Sequence, residues 1–465
     1  MSGERQASAS VVAENESQGA DSIHRWIYGR LAGVSAVPRG WRLSRLPDVA
    51  RLESGHTPAR TVPAYWGGDV RWLSLHDTKR LEEHVVTETS MTITSAGLNN
   101  SSARLLPAGT VALSRTATVG KCVLLGRRMA TSQDFACYVC GPSLHNKYLL
   151  HLFRHMQPVW AVLGGGSTHK TVYMPVFENL QSLLPPLPEQ RRIAEILDSL
   201  DEAIRKSERV IAKLEQMKQG LLNDLLIRGV DEHGELRDPE RHPEQFKDSP
   251  LGRIPRGWEV VRFGECLSGS PQNGLYKPSS YYGVSGTPIV RIDGFYDGVL
   301  APVSAMKRLR LADQELKTYR LEPGNILVNR VNSIDFVGKA ALVPELPEPL
   351  IFESNMMRCH LLTDRLVPRF AIRWLTSYLA RRWFHRRAKS AIAQASVNQG
   401  DVTGLRVVLP EPDEQERVVA AVESVEQRVD SESEQLAKLR TLKHGLMDDL
   451  LTGRVRVFAS EEGKP

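Results

Sequence analysis

Apolar residues recur at alternating spacings of four and three along two long stretches, and the second stretch copies the first. The first opens Pro-Pro-Leu-Pro-Glu-Gln at Pro185 and runs through Leu226. Its seam positions are Ile193, Leu197, Leu200, Ile204, Ser207, Ile211, Leu214, Lys218, Leu221 and Leu225. The second opens Pro-Glu-Pro-Asp-Glu-Gln at Pro410 and runs through Leu451. Its seam positions are Val418, Val422, Val425, Val429, Glu432, Leu436, Leu439, Lys443, Leu446 and Leu450. One constant shift of 225 residues carries Glu189-Gln190 onto Glu414-Gln415. The unbroken alternation is the a/d pattern of a coiled coil rather than the broader stripe of a surface helix. The polar seam residues fall at matching places, Ser207 with Glu432 and Lys218 with Lys443. They either set register and partner or reach along the seam edge to water.

Terminal signals bound both helices. Asp413 with Glu416 three residues on suggests a capping box, and Pro188 suits a first turn. Gly229 and Gly453 follow the last apolar residues, where a left-handed cap is expected. Each helix is then about 38 residues and about 57 Å long. An antiparallel pair would hold whatever precedes each helix at opposite ends.

The segments before the helices repeat more loosely. Pro38-Arg39-Gly40-Trp41 returns as Pro255-Arg256-Gly257-Trp258, and Arg45 matches Arg262. Pro107-Ala108-Gly109-Thr110, Ser114-Arg115 and Gly120-Lys121 return as Glu322-Pro323-Gly324-Asn325, Asn329-Arg330 and Gly338-Lys339. Residues 166–170 align with 395–399, and the filling between anchors differs strongly. Short strands are expected around residues 70–73, 110–113, 289–292 and 326–328, and amphipathic helices over 145–156 and 369–389. The fold class is therefore α+β, with two tandem pseudo-repeated α+β recognition domains separated by two long antiparallel coiled-coil helices. The expected division is a disordered tail over 1–22, a first recognition domain over 23–185, a helix over 186–228 and a linker over 229–250. A second domain over 251–409, a helix over 410–453 and a tail over 454–465 complete it.

Composition narrows the function. The 465 residues are 41% hydrophobic and 25% charged, ordinary for a globular protein of two or three domains. No apolar run reaches the length of a membrane span, and the Ser-rich N-terminus lacks the apolar core of a secretion signal. Five cysteines, an odd number without framework spacing, suit a reducing cytoplasm. The net charge of +6 is concentrated in the heads. Residues 38–184 hold 16 Lys and Arg against 9 Asp and Glu, and residues 251–409 hold 22 against 13. Basic heads suit a phosphate backbone, and about 57 Å of rod spans about 17 base pairs of B-DNA.

Taken in order, the paired Pro-Arg-Gly-Trp openings, the Pro-Gly, Arg and Gly-Lys strand motifs and the Pro-Leu-Pro-Glu-Gln-Arg helix start resemble one family. So do the helix ends, Leu-Leu-Asn-Asp-Leu-Leu at 221–226 and Leu-Met-Asp-Asp-Leu-Leu at 446–451. The family is the specificity (S) subunit of type I restriction–modification enzymes, and the resemblance spans about residues 37–457. It implies that each head reads one half of an asymmetric, bipartite double-stranded DNA site and that the helices act as a ruler. It also implies docking of methyltransferase subunits, two in number, which use S-adenosylmethionine. Restriction subunits using ATP and Mg would join through them. This chain itself would hold no cofactor and no metal and would catalyse nothing. Runner-up readings are a DNA-binding coiled-coil scaffold unrelated to restriction and a fragment of a combined restriction–methylation enzyme.

Motifs agree with a non-catalytic chain. There is no Asn-Pro-Pro-Tyr or Asp-Pro-Pro-Tyr and no phosphate-cradling G-x-x-x-x-G-K-[ST] loop. Asp48 with Asp77-Thr78-Lys79 forms a loose nuclease-like set with no counterpart in the second head. Cys137-x-x-Cys140 lacks the second pair that structural zinc requires and reads as buried thiols. DNA-contact candidates are Arg115, Lys121, His169, Lys170, Lys277, Arg291, Asn329, Arg330, Lys339, Asn398 and Gln399. A repeated arginine serves either DNA or a structural carboxylate. Base-reading loops are expected at residues 54–60, 66–69 and 166–170, and at 272–282, 291–293, 332–335 and 394–399. Trp41 and Trp258 read as core anchors.

Overall fold

The computed structural model describes residues 37–164, 170–391 and 394–457. The chain divides into two compact units: residues 1–208 with 434–465, and residues 209–433. The helices named below are α1 (Asn146–His155), α2 (Leu187–Arg228), α3 (Pro368–Thr376), α4 (Tyr378–Arg387) and α5 (Pro412–Leu450). Each unit thus contains one head, the first half of the long helix that follows it and the last half of the other long helix.

The duplication extends to sheet topology. In the first unit the main sheet runs 50–54, 135–140, 111–114, 122–125, 85–86, with only the last pairing parallel. In the second unit, 272–273, 356–359, 326–329, 340–342, 298–300 take the same order, again with only the last of these pairings parallel. A short antiparallel pair joins each head's entry to its helix start, 42–45 with 181–184 and 259–262 with 406–409. The central strands Val111–Ser114 and Ile326–Asn329 are buried at every position, as continuous apolar runs demand.

The long helices pair antiparallel inside each unit. In the first, Lys443 reaches Asp201 at 2.6 Å and Arg440 reaches Glu208 at 2.7 Å, so rising numbers on α2 meet falling numbers on α5. The seam residues Ile193, Leu197, Ile204, Leu214, Leu225, Val418, Val422, Val429, Leu436 and Leu450 are buried. Leu200, Ile211, Leu221, Val425, Leu439 and Leu446 are half-buried, as are Ser207, Lys218, Glu432 and Lys443. Toward the helix ends burial widens beyond the seam. Leu222 and Leu226 pack with Trp258, and Leu450 and Leu451 pack with Trp41. The ends grip heads as well as each other.

A matched clamp fixes each helix start. Glu189 is 4% exposed and accepts from the Trp41 indole at 3.2 Å and from Arg456 at 2.7 and 2.8 Å. Glu414, 6% exposed, accepts from the Trp258 indole at 2.9 Å, from the Val230 amide at 3.1 Å and from Arg237. The neighbouring glutamines repeat a second pattern. Gln190 Oε1 accepts from the His145 amide and Gln415 Oε1 from the Val367 amide, both at 2.8 Å. Gly229 and Gly453 both adopt positive φ, +63° and +71°, and a Cβ on either would strike the clamp tryptophan. The two tryptophans are anchors of these clamps, as their burial requires.

Four sequence expectations need correction. The linker over 229–250 is partly built structure, because residues 246–249 pair with 252–255 and Phe246 is buried. Residues 454–457, at the start of the tail, fold back, with Arg456 on Glu189. The helix over 369–389 is two helices, α3 and α4, broken at Ser377, whose hydroxyl caps Ala380. The capping box at Asp413 is displaced: α5 starts at Pro412, and the Gln415 amide bonds the Glu411 carbonyl, so Asp413 lies inside the first turn.

Burial also sets a pH response in the first unit. His155, at the end of α1, lies 3.3 Å from Asp448 of α5 and is almost wholly buried. Burial pulls its pKa down from 6.5 to about 4. The unfolded chain binds a proton near 6.5 that the folded chain refuses until about 4. Stability is therefore full above 6.5 and falls as pH drops through that window. Urea titrations at pH 7 and pH 5 should differ by about 2 kcal/mol from this group alone. A His155→Gln variant should lose that share of the difference; an unchanged difference would remove His155 as its source.

Candidate nucleic-acid interface

The repeated strand motif is a scaffold joint. Ser114 and Asn329 close equivalent loops: their amides bond the Lys121 and Lys339 carbonyls, and their carbonyls accept from Gly120 and Gly338. Both glycines have positive φ, and a Cβ would meet Trp160 in one head and Phe384 in the other. Arg115 donates to the Gln133 carbonyl at 2.8 Å and the Val172 carbonyl at 3.4 Å, bracing its own loop. Lys121 pairs with Glu82 at 2.8 Å. Lys339 donates to the Phe295 carbonyl at 2.9 Å and lies 4.1 Å from the Tyr296 ring centre, its pKa lowered by burial. Asn329 is fully buried and offers no surface for DNA to touch, contrary to its place among the sequence candidates. Arg330 stays half-exposed at the surface end of this joint.

In the second head the structure brings several expected loops together. Parts of loops 272–282 and 291–293, from Leu275 to Tyr282 and at Arg291, wall a cleft of about 430 Å³ that also includes Lys307 and Asn355. Arg291 pairs with Glu353 at 3.3 Å and stacks 5.6 Å from the Tyr282 ring centre. Lys277 pairs with Glu315 at 2.6 Å and sits 4.8 Å from the Tyr281 ring, and Glu315 raises its pKa. Loop 332–335 joins 394–399 through the pairing of 331–332 with 394–396. The second of these loops ties to the first cleft wall through Gln399, which donates to the Pro271 carbonyl at 2.6 Å. Asn398 caps the short helix that follows, accepting from the Asp401 amide at 2.9 Å. The Arg330 amide bonds the carbonyl of Asn355, a cleft residue, at 2.8 Å.

Sequence reasoning missed Lys307 and Asn355, which enter the cleft from segments without a motif. Tyr276, 75% exposed, offers a stacking face where bases can be gripped without sequence preference. A second basic surface lies on α4. Arg382 and Arg386 are exposed, Arg381 pairs with Asp297 at 2.9 Å, and Arg387 lies 3.2 Å from the Trp383 ring centre.

The first head gathers fewer of its candidates. The Ala117 amide bonds the Lys170 carbonyl at 3.0 Å, leaving the exposed Lys170 side chain beside the Arg115 loop. His169 and most of loop 166–170 lie outside the described residues. Loop 54–60 meets Gln133 through Thr57 at 2.6 Å. Residues 66–69 belong to strand Trp66–Leu73 rather than to a loop, with the register slip between Trp66 and Val70 admitting Gly67 and Gly68. The nuclease-like set is not assembled around a shared centre. Asp77 is buried and accepts from the Ser74 and Ser90 amides, while Asp48 lines a different cleft with Arg42 and Arg45. Cys137 and Cys140 are free, and burial pushes both thiols up to about 12. Among the described residues no helix is long and apolar enough to cross a membrane.

Residues 38–216 match the model of the type I restriction modification DNA specificity domain. The chain is 22% identical over 435 residues to the MjaIX type I restriction enzyme specificity subunit of Methanocaldococcus jannaschii, covering 91% of this chain and 95% of that one. With the MjaVIII specificity subunit of the same organism it shares 25% over 433 residues, 90% and 94% of the two chains. A solved chain of a type I R-M system superimposes with TM-score 0.59 at 20% identity, covering 90% of this chain and 99% of that one. Two copies of one α+β head, each followed by a long helix, make a duplicated frame. Residues 38–216 thus carry a type I restriction modification DNA specificity domain, and most of the chain is similar to type I restriction enzyme specificity subunits.

Proposed function

We propose that this chain is the DNA-reading subunit of a type I restriction–modification complex, each head contacting one half of a bipartite, asymmetric double-stranded site. The observation that carries this reading is the pairing of one repeated frame with unlike surfaces. The same sheet order, glutamate–tryptophan clamp and glutamine pattern recur in both units, while the loops on them share little. In the second head, paired cations, the exposed Tyr276, the half-buried Tyr282 and the Asn355 amide line one polar cleft, the chemistry that grips phosphates and base edges. A plain coiled-coil scaffold would need neither the basic heads nor their divergence.

In this reading the chain supplies specificity and no catalysis. Methyltransferase subunits, two by the duplicated frame, dock on the helices and bring S-adenosylmethionine. Restriction subunits bring ATP and Mg. Co-expression with a methyltransferase partner should give sequence-specific adenine methylation that neither chain gives alone; methylation by the partner alone would remove this chain's role.

The helices act as the ruler between half-sites. Deleting one heptad from each, so that their register is kept, removes about 10 Å, or about three base pairs of spacer. The methylated motif should keep both half-sites and lose about that much gap. An unchanged gap with full activity would overturn the ruler.

A further inference from the structure

In the first unit α2 carries Asp198 and Asp201, one turn apart, and two imidazoles lie against them. His84 comes from the segment leading into strand 85–86, and His151 from α1. The His151 side chain is 0% exposed and that of Asp201 is 9% exposed. His151 Nε2 lies 2.9 Å from Asp198 Oδ1. Donation there fixes the tautomer and leaves Nδ1 with its lone pair outward. That Nδ1 has no hydrogen-bond partner, and it faces Asp201 Oδ2 at 3.9 Å. The same oxygen is a buried acceptor without an aligned donor, although His84 Nε2 approaches it to 2.9 Å. Two lone pairs facing each other in a buried site repel, and a cation between them removes the repulsion.

The pseudo-repeat shows what a purely ionic version looks like. His145 and Val367 make the same amide bond to the repeated glutamine, so His151 corresponds to Arg373 and Lys147 to Arg369. Asp198 and Asp201 correspond to Glu423 and Glu426 under the helix shift. In the second unit Arg373 forks onto Glu426 at 2.8 and 2.5 Å, and Arg369 pairs with Glu423. Lys218, 3.8 Å from Glu426, matches Lys443 on Asp201. A guanidinium carries no lone pair to give. The first unit keeps this frame but replaces the fork with imidazoles and shortens the acids.

We propose that His84, His151 and Asp201 bind one divalent transition-metal ion of the zinc class. Asp198 is the outer carboxylate that orients His151. The three groups offer ligand atoms within 4.8 Å of one another. Zinc bonds of about 2.0–2.1 Å place tetrahedral ligands about 3.4 Å apart. The 2.9 and 3.9 Å separations from Asp201 Oδ2 bracket that value. Lys443 on Asp201 Oδ1 and Lys147 on Asp198 Oδ2 hold the carboxylate oxygens turned away from the ion. The fourth position opens past His84, whose side chain is 17% exposed. Bound there, the ion would tie two segments of the first head to the long helix.

The test titrates chelator-treated, full-length chain with Co²⁺, followed by visible absorption, and then displaces it with Zn²⁺. One Co²⁺ per chain is expected, with a rise in Tm. His84→Ala and Asp201→Asn should each weaken binding by about 100-fold or more, and Asp198→Asn by about 10–100-fold. Circular dichroism reports whether each variant folds, and His84→Ala, altering a partly exposed side chain, keeps the test open if Asp201→Asn does not. Cys140→Ser should leave binding unchanged. Absence of stoichiometric binding, binding that survives His84→Ala, or binding abolished in Cys140→Ser would each overturn the proposal.

Discussion

Replacing residues 38–184 with the head of another family member should rewrite one half of the methylated motif and leave the other half and the gap intact. The expected effect is a complete change of that half-site. Each base pair that no longer matches the head costs about 1–3 kcal/mol, and a half-site contains several. The exchange is structurally permissible. The Glu189 and Gln190 clamps lie just beyond residue 184, on α2, and the Gln190 bonds to Ser143 and His145 reach backbone atoms. Trp41 must be kept, because its indole completes the Glu189 clamp. The readout is adenine-methylation mapping; altered recognition in both halves would mean that the heads do not read independently.

Glu414→Ala should destabilise the second unit by about 3–5 kcal/mol, since it strands a buried partner set. The carboxylate accepts from Arg237, the Trp258 indole and the Val230 amide, all in a region packed against the ends of both long helices. Alanine removes every acceptor at once and leaves a half-buried guanidinium without its counter-charge. Urea denaturation should show the loss in a transition of the second unit. Glu189→Ala should do the same to the first unit, where Arg456 and Trp41 lose their acceptor. Because the two clamps lie in different units and share no residue, the double variant should lose close to the sum. A loss under about 1 kcal/mol for Glu414→Ala would show that the seam holds without the clamp.

What could be read in the sequence was what period and punctuation encode. The heptads gave α2 and α5, Gly229 and Gly453 marked their left-handed ends, and Trp41 and Trp258 declared themselves as anchors. The hairpin over 246–255 escaped because its strands are four residues long and mostly polar, with Phe246 and Ile254 alone signalling a buried side. The return of Arg456 escaped because Arg454-Val455-Arg456-Val457 is too short a run to establish a period. Repetition itself pulled two ways. Arg115, Lys121 and Lys339 recur because the joint they brace recurs, so likeness between heads marked the frame, and the reading surface is sought where the heads differ. The cleft of the second head is assembled from segments around residues 276, 307 and 355, and the imidazole–carboxylate cluster from 84, 151 and 201. No local pattern announces groups that only tertiary pairing brings together.

The most direct measurement is a genome-wide map of methylated adenines in cells carrying this chain and its methyltransferase partner. One motif is expected, made of two different short sequences separated by a fixed stretch of unspecified bases. A contiguous motif, a palindrome with identical halves, or a gap that varies from site to site would contradict two unlike heads held at a set distance.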